Sequence, residues 1–181
     1  SHNNAEKKEF DRDLVFCGVG LESDYRYQLL VNLKSDLENT LHFDTFGILG
    51  GKPVWGQAYE DIISKSKMAL NLNREEDWPL YSSDRLAQLI GNGLLTYVWD
   101  KGDMRRLFND EQVVFFKDLD ELSRHIKMFH ADDEQRQHIA KNGYYHYHEN
   151  FSAQRTIQYM IETTFNLPHS HDYIWDNEIY R

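Results

Sequence analysis

The chain has one cysteine, Cys17, among 181 residues. One thiol cannot close an internal disulfide, and a reducing, cytoplasmic setting is the expectation. No apolar run approaches the roughly 20 residues that a bilayer span requires, so no transmembrane segment is expected. The opening, SHNNAEKKEFDRD, is polar and carries both signs of charge, unlike a secretory leader. Ser1-His2 reads as a tag remnant, and the native protein is expected to extend further toward its N-terminus. Positive charge is scarce: 20 Lys and Arg stand against 30 Asp and Glu, for a net charge of −10. A broad nucleic-acid surface is therefore not expected, whereas a small anion held by a local set of donors is compatible with this balance.

Several chemical signatures are also missing. There is no GxxxxGK[ST] loop, no GxSxG elbow, no HExxH and no cysteine pair. P-loop NTPases, serine hydrolases and zinc enzymes thus lack support. Cys17 lies in an apolar strand rather than at an exposed helix start, which does not favour a nucleophilic thiol. His146 and His148 would point to different faces of a helix, and His169 and His171 lie in a tail. All four read as surface histidines, and no metal is expected. No internal repeat, low-complexity tract or linker is visible.

What is present is 40% hydrophobic and 14% aromatic residues, enough for a sizeable core. Short apolar runs of strand length occur at 14–17, 41–46, 68–72, 94–99 and 112–116, and Val54-Trp55-Gly56 suggests a further short strand. Amphipathic helical segments alternate with them. One carries Leu29, Leu30, Leu33 and Leu37, and another Tyr59, Ile62 and Ile63, ending near Lys67. A third carries Leu86, Leu89 and Ile90 and stops at Gly91-Asn92-Gly93. A short helix is read around 103–108. Asp118 with Glu121 forms a capping-box pattern before Leu122, Ile126 and Phe129. The segment 133–149 is helical by composition. Ser152 caps a last helix with Ile157, Met160, Ile161, Thr164 and Phe165 on one stripe. The alternation predicts an α/β, Rossmann-like, doubly wound and mostly parallel sheet of about five to six strands with helices on both faces. Residues 1–12 read as a solvated lead-in, 13–166 as a single domain, and 167–181, with Tyr173, Trp175 and Tyr180, as a C-terminal tail.

In such a sheet ligands sit outside the C-terminal ends of the strands. The loops there are 18–20, 47–56, 73–85 and 100–103. Gly18-Val19-Gly20 follows a strand and precedes a helix, which fits either a ligand approaching the backbone or a simple tight turn; it is not a full dinucleotide fingerprint. Ser82-Ser83-Asp84-Arg85 opens the central helix. Two hydroxyls, free N–H groups and the Arg85 guanidinium suit a phosphate, while an ordinary cap with a surface arginine is the alternative. Asp84 would repel a phosphate placed on it and fits a cap or a brace for Arg85. Asn73, Arg74, Glu75, Glu76 and Asp77 fill a polar loop in which Arg74 suits a phosphate and the carboxylates suit sugar hydroxyls or water.

Six stretches, LVFCGVG (14–20), PVWG (53–56), YEDIISKSKMALNLN (59–73), SSDRLAQLIGNGLLTYV (82–98), VVFFKDLDEL (113–122) and RQHIAKNGYYHYHENFSAQR (136–155), follow in this order. In order and spacing the chain resembles the C-terminal, nucleotide-sugar-binding domain of a GT-B glycosyltransferase, of the CgeB or spore-maturation type. The resemblance covers roughly residues 13 to 165. It implies that Gly18 and Gly20 lie near the donor diphosphate and that 53–56, including Trp55, border the base. It places Ser82 to Arg85 at the phosphates or the donor sugar. Gln88 falls where many relatives carry a glutamate that holds the ribose, and Leu80 where an earlier glutamate contacts the sugar. The resemblance implies no cofactor beyond a nucleotide-sugar donor, with UDP-, GDP- and ADP-sugars all open. It implies an N-terminal Rossmann-like partner domain that supplies the general base and meets an unknown acceptor, and little activity for this half alone. A non-catalytic interaction domain on the same fold is the main alternative, and a flavodoxin- or receiver-like domain is a third.

Overall fold

A computed structural model describes residues 3–74 and 77–176. Glu75, Glu76 and Tyr180 lie outside the described residues, as do Ser1 and His2. The strands are β1 (Arg12–Cys17), β2 (Phe43–Phe46), β3 (Ser66–Asn71), β4 (Leu95–Trp99) and β5 (Val114–Phe116). The helices are α1 (Tyr25–Leu37), α2 (Gln57–Ile63), α3 (Asp84–Gly91), α4 (Leu119–Ala131), α5 (Asp133–Asn150) and α6 (Ala153–Thr164). All five strands are parallel, in the order β2-β1-β3-β4-β5.

Period-two alternation explains the two faces. In β1, Leu14 and Phe16 join the core under α1 and α4, with Leu30, Leu33, Leu122 and Ile126. Val15 and Cys17 point the other way, toward Tyr59 and Ile63 of α2 and Leu89 of α3. A further cluster on that second face joins Leu86 and Ile90 to Val98, Phe108 and Phe115. Helices thus cover both faces, which is why the strands read as nearly continuous apolar runs.

Local sequence sets most boundaries. The Asp118 carboxylate accepts from the Glu121 N–H at 2.8 Å, and Glu121 reaches back to the Lys117 N–H at 2.8 Å, a reciprocal cap. Asp132 caps α5 through the Gln135 N–H at 3.0 Å. Close packing also fixes two glycines: a Cβ on Gly143 would stand 2.3 Å from the Gln112 carbonyl, and one on Gly91 2.9 Å from the Tyr147 ring.

Four local expectations need correction. Val54-Trp55-Gly56 forms no strand; Gly56 has φ +54° and starts α2, so the chain turns here instead of extending. α2 ends at Ile63 and β3 begins at Ser66, because Ser66 docks against Arg12 as the first rung of the ladder. The helix around 103–108 is a short 3-10 turn at Met104–Arg106. The N-terminal segment is not solvated throughout. Asn4 is fully buried, donating to the Ile63 carbonyl at 2.7 Å and the Ser66 carbonyl at 2.9 Å, and Ala5 joins the core.

Strand order places the switch point between β1 and β3. The chain leaves β1 toward β2 on one side and returns over it to β3 on the other, so the loops after β1 and β3 diverge and open a crevice at their C-terminal ends.

Candidate functional site

The crevice is a cleft of about 250 Å³ lined by Cys17, Gly18, Phe46, Trp55, Tyr59, Arg85 and Gln88, among others. The ends of β1 and β2, the 47–56 loop, α2 and the first turns of α3 all contribute to it. Trp55 stands at its rim and is 71% exposed.

Arg85, in the first turn of α3, spans the switch point. Its Nη1 donates to the Cys17 carbonyl at 2.9 Å and its Nη2 to the Leu72 carbonyl at 2.7 Å, so one guanidinium ties the ends of β1 and β3. Its Nε approaches Asn71 Oδ1 at 3.4 Å, and the plane lies 5.1 Å from the Phe16 ring centroid. Among the described residues no carboxylate pairs with it. Burial lowers the Arg85 pKa from its ordinary value, and the nearby Arg26 acts in the same direction. A cation held in this way by carbonyl dipoles alone is a pre-formed place for an anion.

Gly18 is fitted around this cation: a Cβ there would meet Arg85 Nη1 at 2.6 Å and Phe16 Cζ at 2.9 Å. The loop continues through Gly20, where a Cβ would meet Ile48 at 2.8 Å and the Asp24 carboxylate at 3.1 Å. Arg26, in the first turn of α1, is buried, and its Nη2 donates to the Val19 carbonyl and to Asp24, both at 3.0 Å. The Asp24 carboxyl is held below its ordinary range by the Leu21 N–H first, then by Arg26, with Arg74 adding to the effect.

Of the residues singled out in sequence, Gly18, Trp55, Arg85 and Gln88 meet in the one cleft. Gly20 and Arg74 stand beside it around Asp24. Asn73 braces the surrounding loop: its Nδ2 donates to the Tyr81 carbonyl at 2.9 Å and its own carbonyl accepts from the Tyr25 hydroxyl at 2.5 Å. Ser82 and Asp84 are exposed. Ser83 takes the N-cap position, but its hydroxyl caps nothing and is buried without a partner, so the expected side-chain cap is absent. Leu80 packs its side chain toward Leu86 and Phe108 in the second-face core.

Sequence reasoning missed Tyr59, Arg26 and Asn71. Tyr59 passed for helix core; its buried hydroxyl has no partner, and burial raises its pKa. Arg26 sits on the buried stripe of α1 with Leu29, Leu30 and Leu33, and a charge on an apolar stripe was a usable signal. Asn71, a polar residue closing an apolar strand, was another. Burial pushes the Cys17 thiol up to about 12, so no thiolate forms at neutral pH.

His146 and His148 are better described as braces than as surface residues. Their Nε2 atoms meet the Leu107 carbonyl at 2.8 Å and the Gly91 carbonyl at 2.9 Å, in different directions. Among the described residues no three His, Cys, Asp or Glu side chains converge as a metal site, and no helix is long and apolar enough to cross a membrane.

A family model described as "Glycosyl transferase-like" matches residues 15–162. The chain belongs to this family. A search of curated protein sequences returns no match. Solved glycosyltransferases share the fold of this glycosyl transferase-like chain. An α1,3-fucosyltransferase matches at 14% identity with a TM-score of 0.64, over 99% of this chain and 54% of its own. HepE from Anabaena, solved with UDP and glucose, matches at 15% and 0.62, over 86% of this chain and 41% of its own. TarM matches at 9% and 0.69, over 89% and 36%. The chain thus spans about half or less of these neighbours. At such identities the likeness establishes the fold alone: a Rossmann-like α/β unit that these glycosyltransferases also contain.

Proposed function

We propose that this chain is the donor-binding half of a glycosyltransferase that moves a sugar from a nucleoside diphosphate to an acceptor. One observation carries the reading: at the switch point of a parallel sheet, Arg85 presents a guanidinium that no carboxylate among the described residues neutralises, on the wall of an open cleft. In sugar transfer the glycosidic bond to the phosphate breaks, and negative charge collects on the leaving diphosphate. A fixed cation and the N–H groups at the start of α3 stabilise that charge without reorganising. Gly18 lets the diphosphate approach the backbone, Trp55 flanks the base, and the Gln88 amide hydrogen-bonds the ribose. Asn73, Arg74, Ser82, Ser83 and Asp84 frame the phosphate and sugar side.

UDP is the first donor to test, because HepE and T4 phage BGT, both of this fold, were solved with it; GDP and ADP follow. The general base and the acceptor site belong to a second Rossmann-like domain of a longer cytoplasmic polypeptide, and the motif order fits the CgeB or spore-maturation type. The half represented here binds donor but turns over little of it. A non-catalytic domain is the competing reading, favoured by the apolar, half-buried Leu80 and the amide at Gln88 where relatives carry carboxylates.

An NMR titration separates the two. UDP, GDP or ADP is expected to move the amide signals of Gly18, Ser83 and Arg85, and Arg85→Ala to weaken that binding at least about tenfold, the scale of one charge-assisted fork. Arg85→Lys, which retains the cation, guards against a variant that merely unfolds. Unmoved signals with all three nucleotides at millimolar concentration would remove the donor-site reading.

A further inference from the structure

We propose that Trp78 and Tyr81 form a stacking platform for the sugar ring of the donor; this rests on the donor-site reading above. Trp78 is 59% exposed, yet the loop that presents it is locked. The Leu80 N–H donates to the Gly102 carbonyl at 2.8 Å, and the Tyr81 N–H to the Trp78 carbonyl at 3.2 Å. Asn73 holds the Tyr81 carbonyl from the other side at 2.9 Å. Leu80 adopts φ +56°, a strained conformation for a branched side chain, and packs half-buried against the core beneath. The backbone strain at Leu80 and the bonds around it turn Trp78 outward, with Tyr81 edge-on at 5.7 Å and 82° fixing the plane of the indole.

Position supplies the ligand class. Trp55 borders a cleft over the ends of β1 and β2. Arg85 sits over β1 and β3. The Trp78 loop is tied to Asn73 after β3 and Gly102 after β4. Along the sheet edge the order is therefore exposed indole, carbonyl-held cation, exposed indole. A nucleoside-diphosphate sugar has the same order: base, diphosphate, sugar. The C–H face of a pyranose stacks on an indole, and the exposed Asp77 beside it offers a carboxylate to ring hydroxyls.

Calorimetric titration of the intact chain compares each nucleotide sugar with its bare diphosphate: UDP-glucose with UDP, GDP-mannose with GDP, and ADP-glucose with ADP. At least one sugar is expected to bind about three- to tenfold tighter than its diphosphate, the scale of one aromatic contact. Trp78→Ala should bring that ratio to about one while leaving the bare diphosphate unchanged, and Trp78→Phe should keep most of it. The platform is overturned if no sugar outbinds its diphosphate, if Trp78→Ala leaves the ratio intact, or if it weakens the bare diphosphate equally. Wild-type protein that binds no diphosphate removes the donor-site reading instead, and the platform with it.

Discussion

Gly18 is glycine because the Arg85 guanidinium fills the volume its Cβ would take, 2.6 Å from Nη1. That guanidinium is held by two carbonyls and cannot give way without losing them. Gly18→Ala is therefore expected to destabilise by about 1–3 kcal/mol, the cost of overpacking, read as a lower thermal midpoint. Tyr59 makes the opposite case. Its hydroxyl is buried without a partner, a cost to the folded state. Tyr59→Phe deletes that cost and keeps the ring, so unfolding in denaturant should show equal or higher stability, by up to about 1 kcal/mol. A clear loss of stability would mean that the hydroxyl is satisfied in solution.

At the scale of elements, one carboxylate anchors residues 170–173 on α6, beside ring contacts of Tyr159 and Phe151 with Tyr173 and Trp175. Glu162 of α6 accepts from the Ser170 hydroxyl at 2.6 Å, the Tyr173 hydroxyl at 2.9 Å, the Ser170 N–H at 3.2 Å and Gln158 at 3.2 Å. These bonds, the Ser170 hydroxyl foremost, bring its pKa down from 4.5 to about 2. A depressed folded-state pKa stabilises the docked tail above the unfolded value and ceases to do so as pH falls through the folded one. Fluorescence of Trp175, packed 5.5 Å from Tyr173 and 5.5 Å from Phe151, should therefore hold steady above pH 4.5 and change as pH falls toward 2. In Glu162→Gln the tail should be looser at neutral pH and this acid transition lost. Nothing in the 167–176 sequence announced this fold-back, because its partners are one carboxylate and the separate rings of Phe151 and Tyr159, not a periodic apolar stripe. The Asp118 and Ser152 caps were legible, since a cap is written within four residues. The missing strand at 54–56 was not, because a pairing depends on a neighbour distant in sequence.

At the scale of the molecule, the doubly wound sheet was readable because both of its faces are covered, which makes the strand runs apolar and the helix stripes periodic. The site was readable in part. Gly18 follows a strand end, Trp55 and Arg85 stand at helix starts and Gln88 lies a turn further along α3, near where topology alone places ligands, and they share a cleft. What sequence could not show was how Arg85 is held, since its acceptors are the carbonyls of Cys17 and Leu72, which belong to the backbone and leave no trace in residue type. The charge balance behaves likewise. A net charge of −10 describes the whole surface, yet Arg26, Arg74 and Arg85 gather at one edge of the sheet. Asp24 offsets Arg26 and Arg74 at that edge, which leaves Arg85 without a carboxylate partner among the described residues, while the distant negative charge is screened beyond about 10 Å at ordinary ionic strength.

The strand order β2-β1-β3-β4-β5 also bears on how the chain assembles during synthesis. Of these five strands β1 emerges from the ribosome first, and β2 pairs on one side of it. Each later strand adds to the opposite growing edge: β3 on β1, β4 on β3, β5 on β4. No strand has to be inserted between two that are already joined. The sheet extends outward in the order of translation, and every intermediate leaves open the edge that the next segment will cover.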